Sequence, residues 1–135
     1  DVVIFTASIK QYAEEVINKI APWIPESHRF YRDDCFREGC LFIKDLTRLN
    51  RPLSSIIIID DRPISSAFHP DNSIRISPFD GNENDKELLI ENDKDHSNEN
   101  DNSNSNKNDK PLYKLLRQLE TVQDVREILK SQKKL

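Results

Sequence analysis

The chain has 135 residues, 20 Lys plus Arg against 24 Asp plus Glu, a net charge of −4 and two cysteines. This length suits one domain with a useful core. No run of about 18 apolar residues is present to span a bilayer, no apolar signal-peptide core is evident, and two cysteines are too few for a disulfide framework.

The charge is unevenly spread. Between Asn82 and Lys110 nine acids meet four lysines, whereas the remainder holds 15 acids and 16 bases and is nearly neutral. A basic nucleic-acid surface is therefore not expected. The three histidines, His28, His69 and His96, are scattered and make no zinc set with Cys35 and Cys40, which read as reduced thiols. The absence of methionine and the start inside a strand-like run lead us to expect residues upstream of Asp1 or a processed N-terminus.

Val2-Val3-Ile4-Phe5 reads as a short buried strand closed by Thr6-Ala7-Ser8. Ile9, Tyr12, Ala13, Val16, Ile17 and Ile20 recur at spacings of three and four, the apolar stripe of a helix, and Pro22 and Pro25 end it. Ser8 with Gln11 fits a capping box. Strand-end hydroxyls at Thr6 and Ser8 serve either as caps or as phosphoryl contacts at a helix start. His28–Arg32 and Cys40–Ile43 suggest two short strands of a hairpin around Glu38-Gly39. Lys44 follows directly, and Leu46 and Leu49 suggest a helical turn ended by Asn50-Arg51-Pro52.

Ile56-Ile57-Ile58-Ile59 reads as a strand buried on both faces, as in a parallel sheet. Asp60 and Asp61 come where that strand ends, the place where α/β sheets bind ligands. Adjacent carboxylates repel, so a lysine or a bound cation lowers the cost of holding them; an ordinary Asp-Asp turn is the other reading. Ser65–Phe68 suggests a short turn or helix, and Ile74–Ile76 another strand. From Asn82 to Lys110, nine asparagines and few apolar residues read as a low-complexity insertion, with a helical turn at 85–90 and disorder over about 91–109. Pro111 is a good first helical residue. Leu112, Leu115, Leu116 and Leu119 give one helical stripe; Val122, Val125, Ile128 and Leu129 give another, opened by Thr121-x-x-Asp124. The domain thus comprises residues 1–81 and 111–135.

Phe5-Thr6-Ala7-Ser8, Phe30-Tyr31-Arg32-Asp33-Asp34-Cys35, Ile43-Lys44-Asp45-Leu46, Leu53 through Pro63, His69 through Ile74, and Asp124-Val125-Arg126 occur in that order. In these motifs the chain resembles the FCP/SCP-type phosphatases of the haloacid dehalogenase (HAD) superfamily, including CTD small phosphatases, Dullard-like and NLI-interacting-factor-like proteins. The resemblance implies a HAD-like, three-layer Rossmannoid α/β domain with a parallel sheet and a small β-hairpin insertion. It implies a Mg²⁺-dependent phosphatase of phosphoserine and phosphothreonine in proteins. Thr6 matches the hydroxyl that bonds the transferring phosphoryl group, and Lys44 the cation that offsets charge there. Asp60 matches the acid that orients the lysine, and Asp61 the magnesium ligand. Arg32 and Tyr12 match positions lining the phosphopeptide groove. In the family an aspartate attacks phosphorus to form an aspartyl-phosphate, and a second aspartate two residues later serves as acid and base. That Asp-x-Asp-x-Thr motif occurs nowhere in the 135 residues. The resemblance therefore implies that the central strand and nucleophile lie upstream, and that these 135 residues alone are inactive.

The alternative is an inactive relative. Lys44-Asp45-Leu46 through Leu49-Asn50-Arg51, and Pro78-Phe79-Asp80-Gly81 before Asp85-Lys86, also resemble the presequence-receptor subunit of the mitochondrial inner-membrane translocase. A phosphopeptide-binding scaffold without turnover is a third expectation. The implied compartment is the nucleus for the phosphatase, with the mitochondrion or the endoplasmic reticulum and nuclear envelope as alternatives.

Overall fold

The computed structural model describes residues 1–79 and 111–132, so the expected insertion at 82–110 lies outside the described residues. It is a small α/β structure with two parallel strand pairs, in keeping with the expected Rossmannoid class. Strand β1 (Ile4–Phe5) pairs in parallel with β2 (Arg29–Phe30), in register Ile4 with Arg29 and Phe5 with Phe30. Helix α1 (Lys10–Ile20) supplies the crossover, the βαβ connection that parallel pairing needs. Strands β3 (Phe36–Glu38) and β4 (Leu41–Ile43) form an antiparallel hairpin. Strand β5 (Ile58–Asp60) pairs in parallel with β6 (Ser73–Arg75). β1 and β5 share no ladder.

Several local expectations need correction. The hairpin is not made by 28–32 with 40–43. Residues Arg29 and Phe30 pair with β1 instead, and Phe36–Glu38 takes the hairpin position. Gly39 provides the reversal because its φ of +60° is open to a residue without Cβ. Nor does Ser8 cap α1. Ile9 occupies the N-cap in an extended conformation with no side-chain hydrogen bond, while the Ser8 N–H donates to Thr6 Oγ1 at 3.1 Å.

The helix stripe also splits. Ala13 and Ile17 are buried against Tyr31 and Ile4, whereas Ile9, Tyr12, Val16 and Ile20 are exposed. A stripe that wide on the helical wheel has more apolar surface than β1 and β2, each two residues long, can cover. The isoleucine run is likewise not buried throughout. Only Ile58 and Ile59 lie in β5, and Ile59 is exposed while Ile56 and Ile58 are buried.

The β5–β6 connection contains no α-helix. It runs through two tight helical turns, Pro63–Ser66 and Pro70–Asn72. Asn72, at 2% exposure, ties this connection down: its amide donates to the Ile56 carbonyl at 2.7 Å and also to that of Leu53. Helices α2 (Pro111–Leu119) and α3 (Val125–Gln132) bury Leu112, Leu115, Leu119, Val125 and Leu129 around Ile74, with Ile57 and Ile76 packed alongside. Thr121 does not open α3; its hydroxyl donates back to the Gln118 carbonyl, and Asp124 accepts the Arg126 N–H at 2.9 Å.

Candidate active site

Lys44 stands one residue past β4 and Asp60 is the last residue of β5. Lys44 Nζ donates to Asp60 Oδ2, with side-chain exposures of only 12% and 9%. The other Asp60 oxygen accepts the Arg62 N–H at 2.8 Å, so the chain turns tightly as it leaves the strand. A buried charge pair of this kind holds only when the remaining lone pairs are satisfied. Asp61 is half-buried, and its carboxylate has no partner among the described residues.

Thr6 follows β1 and continues its ladder, donating its N–H to the Phe30 carbonyl at 2.9 Å. Its Oγ1 accepts from Ser8, which leaves the hydroxyl proton available to another acceptor. Arg32 is fastened to the same loop. Its Nε donates to Ala7 O at 2.7 Å, its main-chain N–H donates to Ser8 O at 3.0 Å, and its guanidinium lies 5.0 Å from the centre of the Phe42 ring. The terminal amino groups of Arg32 pair with no carboxylate among the described residues. Tyr12, 62% exposed on α1, makes no hydrogen bond or ring contact with this set among the described residues.

Cys35 packs against the Thr6 side of the site. Its buried thiol donates weakly toward Thr6 O at 3.9 Å and Tyr31 O at 3.7 Å. Burial pushes this thiol up, opposed by the positive charge of Lys44. A thiol held protonated in this way is a packing group rather than a nucleophile.

Three further residues, given no site role from the sequence, contribute here. The Ser65 carbonyl accepts the Lys44 N–H at 2.9 Å. His69 Nε2 lies 3.0 Å from Asp45 Oδ1 and, as the largest cause, holds that carboxyl below the usual carboxylate range. Arg37, on the hairpin, places its guanidinium 6.0 Å from the Phe42 ring centre, so that ring has two cationic neighbours. Only His69 carried a signal, as the first residue of the His69–Ile74 motif; the other two depend on tertiary contacts.

No cluster of three or more His, Cys, Asp or Glu side chains gathers to hold a metal among the described residues. Magnesium keeps several waters and takes one or two carboxylates plus phosphate oxygens, so an unpartnered Asp61 fits one position of such a site. No described helix is long and apolar enough to cross a membrane.

The chain is similar to CTD small phosphatase-like protein 2 of Dictyostelium discoideum, 44% identical over 89 residues, covering 66% of this chain and 16% of that protein. It is similar to the Phosphatase PSR1 of Saccharomyces cerevisiae, 38% identical over 89 residues, 66% of this chain and 21% of that protein. It is also similar to the human Carboxy-terminal domain RNA polymerase II polypeptide A small phosphatase 1, 37% identical over 86 residues, 64% of this chain and 33% of that protein. The chain thus spans only a minor part of these curated relatives. The family described as NLI interacting factor-like phosphatase matches residues 1–129, which takes in every residue of the site just described. With a buried lysine–aspartate pair and a strand-end threonine inside that match, the chain belongs to the NLI interacting factor-like phosphatase family.

Proposed function

We propose that this domain is part of a magnesium-dependent phosphatase that removes phosphate from phosphoserine or phosphothreonine in proteins. The observation that carries the reading is the buried Lys44–Asp60 pair beside an unpartnered Asp61, in a chain of a phosphatase family. Phosphoryl transfer asks a protein mainly for positioning and for charge neutralisation around the equatorial oxygens. In this reading Asp60 orients the Lys44 ammonium, which offsets charge on the phosphoryl group and nucleophile. The Thr6 hydroxyl donates its free proton to a phosphoryl oxygen. Arg32 offers its two terminal amino groups to the substrate peptide, and Tyr12 lines the same approach from α1. Asp61 holds Mg²⁺, which when bound supplies Lewis-acid neutralisation of phosphate charge.

Asp60 is already paired and hydrogen-bonded on both oxygens, so it does not serve as the nucleophile. The reading therefore draws the attacking aspartate, and the acid–base aspartate two residues beyond it, from sequence outside these 135 residues. The greater length of the relatives supports this. Their names point to the RNA polymerase II C-terminal domain as the first substrate to try, and so to the nucleus.

The test is turnover of a phosphoserine peptide by the natural full-length protein, with and without Mg²⁺, beside Lys44→Met and Asp61→Asn. Turnover that needs the metal and both side chains supports the reading. Retained phosphopeptide binding without turnover in the unaltered protein would favour an inactive relative or scaffold instead.

A further inference from the structure

Lysine has a flexible four-carbon stem and loses substantial rotamer freedom when held in one place. Something must therefore hold Lys44 aimed at Asp60 besides the charge pair itself. We propose that His69 and Asp45 are positioning residues for Lys44, an inference that rests on the phosphatase reading of the lysine.

Asp45 is extended, with φ −79° and ψ 107°, and successive side chains along extended backbone point to opposite sides. Anchoring Asp45 on one side therefore turns Lys44 to the other. Asp45 is anchored three times: one carboxylate oxygen meets His69 Nε2 at 3.0 Å, Thr47 N–H at 3.0 Å and the Thr47 hydroxyl at 2.7 Å. The depressed proton affinity of this carboxyl makes it a charged acceptor, so His69 is the donor through Nε2–H.

The partners of Lys44 and the His69 partner of Asp45 all come from one connection, the chain leaving β5. Asp60 receives the Lys44 ammonium, Ser65 O receives the Lys44 N–H at 2.9 Å, and His69 donates to Asp45. Residues 44–45 are thereby joined to 60–69 at three points. The outermost rung is itself supported. The His69 side chain is 10% exposed and meets Phe68 edge-on at 6.5 Å, and Phe68 packs on Phe36 of the hairpin at 5.1 Å. His69 makes no hydrogen bond or ion pair with Thr6, Asp60 or Asp61 among the described residues, so its polar link to the site runs through Asp45 and Lys44.

The experiment compares His69→Leu, which has no donor, with His69→Gln, whose amide still reaches Asp45, in the full-length protein. A displaced catalytic group costs up to about 100-fold. On a phosphoserine peptide with Mg²⁺, His69→Leu should lower kcat about 10- to 100-fold with KM within about threefold, and His69→Gln should stay within about threefold of the unaltered protein. Lysine-selective NMR of the Lys44 side chain, assigned by its loss in Lys44→Met, reads the same point without turnover. Its resonance should move toward that of a solvated lysine in His69→Leu and stay in place in His69→Gln. If the unaltered protein shows no turnover, the phosphatase reading fails and the NMR comparison alone decides the positioning role. An unmoved Lys44 resonance in folded His69→Leu overturns the proposal. So does an equal fall of kcat in both variants, because the donor would then not be the cause. Should His69→Leu fail to fold, His69→Asn, too short to reach Asp45, takes its place.

Discussion

Lys44→Met separates a buried charge pair from a surface one. The substitution keeps an unbranched side chain of similar length and removes the ammonium, leaving the Asp60 carboxylate at 9% exposure with one remaining donor, the Arg62 N–H at 2.8 Å. Removing one member of a buried pair costs about 3–5 kcal/mol, because the other charge stays desolvated. The retained main-chain hydrogen bond sets the expectation at the lower end, about 3 kcal/mol. Adding Asp60→Asn removes the stranded charge and keeps an amide oxygen for Arg62. The double variant should therefore return to within about 1 kcal/mol of the unaltered protein, a coupling of about 2 kcal/mol or more. Urea unfolding of the full-length protein followed by circular dichroism measures this. With a slope of about 1–3 kcal/mol/M, the single variant shifts the midpoint by about 1–3 M, and an unchanged slope certifies the comparison. A loss below about 1 kcal/mol, or single effects that simply add, would refute the reasoning, since exposed ion pairs behave that way.

Other consequences are accessible to simple measurements. Asn72→Ala should destabilise by about 2–3 kcal/mol in urea, because it leaves two main-chain carbonyls without their buried amide donor. Leu129→Ala, at 2% exposure among the α2 and α3 leucines, should cost about 2–5 kcal/mol by the same assay. Arg126 holds the Asp124 carboxyl at about 2, below its usual value, so the stability from this contact is full above about pH 4 and is lost as pH falls toward 2. Asp124→Asn should remove this pH dependence, lowering the unfolding midpoint somewhat at pH 7 and leaving it nearly unchanged near pH 2. Thiol alkylation with mass spectrometry should label exposed Cys40 first and reach buried Cys35, whose thiol is pushed up by burial, only on unfolding.

What could be read from the chain in advance was whatever depends on near neighbours. The apolar stripes of α2 and α3, the helix between Ser8 and Pro22, and the carboxylates at the end of the isoleucine strand all follow from spacing along one element. What could not be read depends on pairing across distance. Arg29–Phe30 and Phe36–Glu38 are both plausible strands, and only the approach of β1 selects the first for parallel pairing and leaves the second for the hairpin. The α1 stripe offered six apolar positions, but which of them are covered depends on what packs there, and Ala13 and Ile17 were chosen over Tyr12 and Ile20. In the site, Lys44 and Asp60 were recognisable by type and position. Their support from Ser65 and His69 joins residues 21 to 24 apart, which no local pattern encodes.

The apolar packing is distributed unequally around the site. Six buried residues gather where α2 and α3 meet β6, whereas Ala13, Ile17 and Tyr31 make a cluster of three beside β1 and β2. A two-residue ladder over a small cluster opens locally at lower free energy than a region tied into a larger core. Amide hydrogens at Thr6 and Arg32, which close that ladder and its following loop, should accordingly exchange with solvent before those of β6. Lys44 and Asp60 are bound to the slowly exchanging side and Thr6 to the quickly exchanging one. The separation between hydroxyl and ammonium is thus set by the less durable of these two regions, and any contact that steadies β1 also steadies Thr6 against Lys44 and Asp60.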